Sequence, residues 1–431
     1  MESINIFWFR RDLRLYDNMG LSKSTEGNLK VFPLFIFDTN ITDKLPRNDS
    51  RINFIYDSIC RINEELTDSY KSALNVYKGD PLEIFRNLIQ NFKINTVYTN
   101  NDYEPYAIKR DDSLKKMLKN NGVEFKSFKD QVIFEKKEIV KDDGKPYVVY
   151  TPYMRKWMNS LKNDITVLEE KKNIKNFCHK ADSKLLKIED YGFIKCKTKV
   201  LDFKLNKNIV KYYSDRRNFP SLDSTSKIGP FLRFGIISIR KIVKGIINFN
   251  DDTFLKELVW REFFMQILYN FPHTAKNSFK PKYDKIVWLN EVDKFEAWKN
   301  GKTGFPIVDA GMIELNKTGF MHNRVRMITS SFLCKHLLID WRWGEKYFAQ
   351  KLNDYEMASN VGNWQWASGS GVDAAPYFRI FNPHTQITKF DKSKEYIKKW
   401  VDTESSTYPD EIIDHKYARM RCLETYKKYL D

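Results

Sequence analysis

The chain has 431 residues, 42% apolar and 15% aromatic, and its 73 Lys and Arg against 56 Asp and Glu give a net charge of +17. That apolar fraction excludes a disordered chain, and the length suffices for two domains with filled cores. No run nears the roughly 18 unbroken apolar residues of a membrane span, and the N-terminus reads as a strand followed by Arg10, Arg11 and Asp12 rather than a signal peptide. A soluble protein of the cytoplasm is expected, at the nucleoid in a bacterium or in a nucleus where there is one.

Residues 1–130 hold 20 basic and 19 acidic side chains (+1), and residues 131–431 hold 53 and 37 (+16). A local positive field suits a polyanion such as nucleic acid. A solvated Lys surface is the plainer alternative, and charge alone leaves both open. Cys60, Cys178, Cys196, Cys334 and Cys422 are scattered without a CxxC pair. No metal site and no disulfide framework are expected.

In chain order, residues 4–9, 31–38, 74–78, 96–99 and 123–128 are β-rich runs separated by stretches of helical length and period. Strands alternating with helices predict a Rossmann-like α/β domain over 1–130, with a parallel sheet covered on both faces. It lacks a GxGxxG after a strand, so no dinucleotide fingerprint is present. Residues 131–200 turn polar and Lys-rich and read as a connector packed over the surface. From 201 to 431 the segments 254–270, 308–317, 321–336 and 340–352 carry apolar residues at helical spacing, which predicts an all-α domain holding eight of the ten Trp.

Four constellations there could carry chemistry. Glu257 and Trp260 share a helix face with Arg261 beside them, which suits a flat heterocycle bearing a phosphate. A core Trp flanked by surface charges is the plainer reading. In MHNRVRM (321–327), Asn323 and Met327 share a face, and Arg324 and Arg326 are too close for both to reach solvent, so one should meet an acid or a phosphate. In DYEMASNVGNWQW (354–366), Trp364 and Trp366 point opposite ways on a helix. STSKIGP (224–230) places hydroxyls and small residues before a helix start, as an anion site or an ordinary cap would.

Taken in order these residues resemble the DNA photolyase/cryptochrome flavoproteins, most closely the class I cyclobutane pyrimidine dimer photolyases. The resemblance spans the chain: FWFRRDLRLYDN at 7–18, GKTGFPIVD at 301–309 and AAPYFRIFNP at 374–383 carry it. It implies an α/β antenna domain and a helical domain that holds FAD, active in its reduced form. By resemblance, FAD would meet Tyr213, Thr225, Ser226, Lys227, Ile228, Gly229, Phe254, Arg326, Asp354, Tyr355, Glu356 and Asn360, with Asn360 opposite flavin N5. Trp260 and Trp366 would wall a flipped dimer, Glu257 and Asn323 would bond its bases, and Met327 would pack on them. Arg217, Arg261, Phe264, Arg324, Arg379 and Gln386 would join Glu257, Trp260 and Asn323 in holding the DNA. Trp364, Trp341 and Trp288 would relay electrons to oxidised flavin.

The implied activity is light-dependent repair of pyrimidine dimers in DNA by a monomer. A cryptochrome-type photoreceptor, to which WRWG at 341–344 is similar, and a (6-4) or single-strand-preferring photolyase are the family alternatives. A flavin-free basic domain that only binds nucleic acid is the alternative outside it. The second chromophore stays open among folate, a deazaflavin, another flavin and none, because Tyr106 and Ala107 stand where folate-binding members carry an acid.

Overall fold

The computed structural model describes residues 2–161, 166–168, 175–179 and 185–430. The chain forms two compact units: Met1–Glu138 with Asn159–Val200 and Gly229–Asn248, and Ile139–Met158 with Leu201–Ile228 and Phe249–Asp431. Both units draw on several stretches of chain, so neither a surface connector over 131–200 nor a helical domain over 201–431 describes them.

The first unit is built on β1 (Ser3–Phe9), β2 (Lys30–Asp38), β3 (Asn75–Gly79), β4 (Lys93–Asn100) and β5 (Glu124–Phe128), interleaved with α1 (Met19–Ser24), α2 (Ser50–Tyr70), α3 (Pro81–Asn91) and α4 (Pro105–Asn120). All pairings are parallel, in the order β3-β2-β1-β4-β5. Alternation along β1 sends Phe7 and Phe9 into the core with Ile59 and Leu66 of α2, and Ile6 and Trp8 into the core with Phe85 of α3 and Leu114 of α4. Burial on both faces explains the near-continuous apolar runs of β1 and β2. All five predicted strands are present.

Residues 229–248, expected in the helical domain, pack with this sheet for an electrostatic reason. Arg240 lies 3.0 Å from Asp17 and 2.8 Å from Asp130, and Arg14 lies 2.7 Å from Asp130, all four buried. Removing one member of such a network typically costs about 3–5 kcal/mol. Gly235, at φ +62, admits the close approach: a Cβ there would stand 2.2 Å from the Arg11 carbonyl oxygen.

The second unit is helical. It contains most of α5 (Tyr150–Ser160) and all of α6 (Thr253–Asn270), α7 (Pro306–Thr318), α8 (Asn323–Ser331), α9 (Trp341–Lys351), α10 (Met357–Ser368), α11 (Pro383–Phe390) and α12 (His415–Leu430). α6 is buried nearly all round, with Phe254, Leu258, Val259, Phe263 and Ile267 among its covered residues, as a central helix must be. α5 braces it: Trp157 Nε1–H donates to Glu262 Oε1 at 2.6 Å, and Tyr150 and Tyr153 pack on Phe263. The predicted helix at 321–336 becomes α8 followed by a π turn at Phe332–His336. Among the described residues no helix is long and apolar enough to cross a membrane.

Candidate functional site

The candidate residues fall in the second unit except Gly229, which opens a short helix, Gly229–Arg233, of the first. On the proposed cofactor side, Asp223 accepts from Lys204 Nζ at 2.7 Å and Lys227 Nζ at 2.5 Å, and these bonds, that from Lys204 foremost, lower its pKa to about 2. Two ammonium groups on one carboxylate leave a net positive charge. Beside it lie half-buried Thr225 and buried Ser226 and Ile228, with the Ser226 hydroxyl accepting the Ile228 N–H at 3.4 Å. Tyr213 stands edge-on to buried Phe254 with ring centroids 5.1 Å apart.

Further along, Arg326 grips Asp354 through both terminal nitrogens, at 3.2 and 2.9 Å, while its Nε–H donates to the Met321 carbonyl at 2.7 Å. The predicted inward Arg of the 321–327 motif is thus Arg326. Tyr355 follows, packed against the core. Asn360 on α10 donates to both the carbonyl and Oε1 of Glu345, each at 3.0 Å, and burial raises the Glu345 pKa against the lowering effect of that bond. A positive, hydroxyl-lined cluster suits a diphosphate, and a guanidinium–carboxylate–amide set suits a flat ring that alternately donates and accepts.

Trp364 and Trp341 are each 2% exposed and share one core, against which half-buried Trp288 packs. The order buried, buried, half-buried is the gradient that a path from an interior group to the surface needs.

The remaining candidates surround α6 and α8. Glu257 pairs with Arg217. Trp260 is half-buried, as is Trp366. Exposed Asn323 and half-buried Arg326 and Met327 share one face of α8. Arg324 donates to Asn218 Oδ1 at 2.6 Å and lies 4.2 Å over the Phe390 ring. Arg379 is exposed on the loop before α11, its carbonyl held by buried Lys335 Nζ at 2.9 Å, and half-buried Gln386 follows on α11. Two expectations need correction. Phe264 is only 4% exposed and lies under Trp260, so it is a support rather than a DNA contact. Arg261 turns inward to Glu356 at 3.1 Å, with side chains 14% and 6% exposed, so it holds Glu356 rather than presenting a cation to a phosphate.

A family model described as the FAD binding domain of DNA photolyase matches residues 254–406, and one described as DNA photolyase matches residues 5–172. The deoxyribodipyrimidine photo-lyase of Agrobacterium fabrum is 35% identical, over 98% of this chain and 97% of its own. That of Halobacterium salinarum is 32% identical over 99% of both. This chain belongs to the DNA photolyase family. Among solved photolyases, a bacterial class III enzyme from Agrobacterium tumefaciens superposes with a TM-score of 0.89 at 32% identity, covering 100% of this chain and 98% of its own. An archaeal photolyase from Sulfolobus tokodaii, described with two FAD molecules, gives 0.84 at 32% identity over 99% and 100%. A Synechocystis sp. PCC6803 cryptochrome gives 0.84 at 24% identity over 99% of each chain and shares the fold. The photolyase membership accounts for the α/β unit and the helical FAD-binding unit together.

Sequence reasoning missed three residues that pack against or bond the candidate residues. Glu345, behind Asn360, reads as one more surface charge on α9, and only its contact reveals it. Gly344 reads as a helix weak point. Tyr150 was legible in principle, since Tyr150, Tyr153 and Trp157 recur at helical spacing, but the surrounding Lys-rich stretch masked the stripe.

Proposed function

We propose that this chain repairs cyclobutane pyrimidine dimers in DNA under blue light, acting as a monomer in the cytoplasm. When bound, reduced FAD would supply the light absorption and the single electron that opens the dimer. The chain's residues bind, orient and shield. Lys204, Lys227, Thr225 and Ser226 would hold the diphosphate, with Tyr213 and Phe254 packing nearby. The Arg326–Asp354 pair and Asn360 would fix the ring, and Arg261 would keep Glu356 in place beside it.

A damaged, poorly stacked base pair costs at most a few kcal/mol to extrude. Trp260 and Trp366 would return about 1–3 kcal/mol per base by stacking. Glu257, oriented by Arg217, would accept base N–H groups, and Asn323 would both donate and accept. Met327 would add an apolar contact, and because a thioether has no proton to give, a (6-4) lesion needing a general acid is disfavoured. Arg379, Arg324 and Gln386 would hold the flanking strand. Trp364, Trp341 and Trp288 would carry electrons inward, a task suited to the readily oxidised indole.

The observation that carries this reading is that Asn323, Arg326 and Met327 share one face of α8, so one helix serves both lesion and cofactor. Class I is our finer reading, from Glu257, Asn323, Met327 and Asn360, and the similarity to the class III enzyme makes class III its competitor. Illuminating reduced protein with dimer-containing and, separately, (6-4)-containing oligonucleotides tests the function. Repair of the first alone is expected, and repair of only the second overturns it.

A further inference from the structure

Besides Phe264, Trp260 has a closer aromatic neighbour, Tyr150, to which the proposed function gives no role. The Tyr150 ring lies parallel to the Trp260 indole, with centroids 3.6 Å apart and planes at 7°. Phe263 meets both edge-on, at 5.8 Å from Tyr150 and 5.7 Å from Trp260, so the stack is closed from the core side. Tyr150 is 7% exposed, whereas Trp260 keeps part of its surface open.

Tyr150 is tied at both ends. Its hydroxyl donates to the Lys256 carbonyl at 2.8 Å, one turn before Trp260 on α6. Its backbone N–H donates to Asp373 Oδ2 at 3.2 Å, on the loop that leads to Arg379. A ring anchored through its hydroxyl and its backbone holds a fixed plane and imposes that plane on its stacked neighbour.

We propose that Tyr150 is a positioning residue that, with Phe264 alongside, fixes the Trp260 indole, so that the exposed part of the indole is ready to meet an extruded base. This rests on the reading of Trp260 as a wall of the lesion pocket. An indole free to rotate would lose side-chain entropy on each binding event, and Tyr150 takes that loss during folding. Because undamaged DNA extrudes no base, the effect belongs to lesion binding alone.

The test uses full-length, FAD-loaded protein with Tyr150→Leu, which removes the ring, and Tyr150→Phe, which removes only the anchor. Dissociation constants are measured for dimer-containing and for undamaged oligonucleotides. Tyr150→Leu is expected to weaken dimer binding about tenfold and Tyr150→Phe about threefold, within the range of one stacked base. Binding of undamaged DNA and flavin content should not change. In a Trp260→Ala background the Tyr150 changes should have no further effect, because the ring they steady is gone. Full effects in that background, or equal losses on both DNAs, would overturn the role. A parent protein that does not prefer dimer-containing DNA would instead overturn the proposed function.

Discussion

Gly344 stands against Trp364: a Cβ on residue 344 would lie 2.1 Å from the indole Cη2 and 2.4 Å from Cζ3. Trp341 and Gly344 are three apart on α9, so the helix presents one indole and receives another on the same side. A glycine in a helix interior costs about 0.5–1 kcal/mol relative to alanine. Here it permits the contact that seats Trp364, the innermost member of the proposed relay. Gly344→Ala should displace Trp364, destabilise the fold by about 1–3 kcal/mol through overpacking, and slow photoreduction of oxidised FAD. Thermal melts and flavin absorbance under blue light check the two effects. An unchanged photoreduction rate with a shifted melt would separate packing from electron transfer.

Trp288 is half-buried and would be the surface end of the proposed electron path. Trp288→Phe removes the readily oxidised ring while keeping an aromatic in place, so most of the photoreduction rate should go and the fold should stay. Repair by protein that has been chemically reduced beforehand should be unaffected, since the proposed relay would serve only oxidised flavin. Equal loss of both activities would remove Trp288 from the relay.

How far the sequence carried the fold follows from the range of the forces involved. The strands were legible because burial on both sheet faces forces β-rich runs, visible within a few residues of chain. The helices of the second unit were legible by period. The membership of Gly229–Asn248 in the first unit was not, because Arg240 meets Asp17 and Asp130 across more than a hundred residues of chain. The candidate residues were legible as residue types, and less so as orientations. Arg261 and Arg326 both sit in motifs with neighbouring charges, and only geometry shows that each is committed to a carboxylate.

Arg379 and Arg261 therefore separate in their salt dependence. Arg379 is exposed, and Arg379→Ala should weaken DNA binding and lower the slope of log affinity against log salt by about one. Arg261→Ala should leave the slope alone. It strands Glu356, 6% exposed, without its guanidinium partner, a change that typically costs about 3–5 kcal/mol of stability. Binding titrations at several salt concentrations, with denaturant melts alongside, read out both. A reduced slope for Arg261→Ala would return that residue to the DNA face.

His322 sets an acid limit on the helix that carries Asn323, Arg326 and Met327. It caps α8, with Nδ1 accepting the Arg324 N–H at 3.2 Å, and it is 3% exposed. Burial first, then the charges of Arg326 and Arg324, lower its pKa from 6.5 to about 4. A protonated imidazole cannot accept that bond. Between those two values the unfolded chain binds a proton that the folded chain refuses, so stability is full above pH 6.5 and falls as pH drops toward 4. The loss is about 3 kcal/mol at the low end. His336, lowered to about 3 chiefly by burial, adds to the slope in the same direction. His322→Asn keeps a capping oxygen and has no titration in this range. Denaturant melts between pH 7 and 4.5 should show a shallower acid slope in the variant. An unchanged slope would mean that α8 is not capped by a neutral imidazole, and that its acid sensitivity arises at other groups.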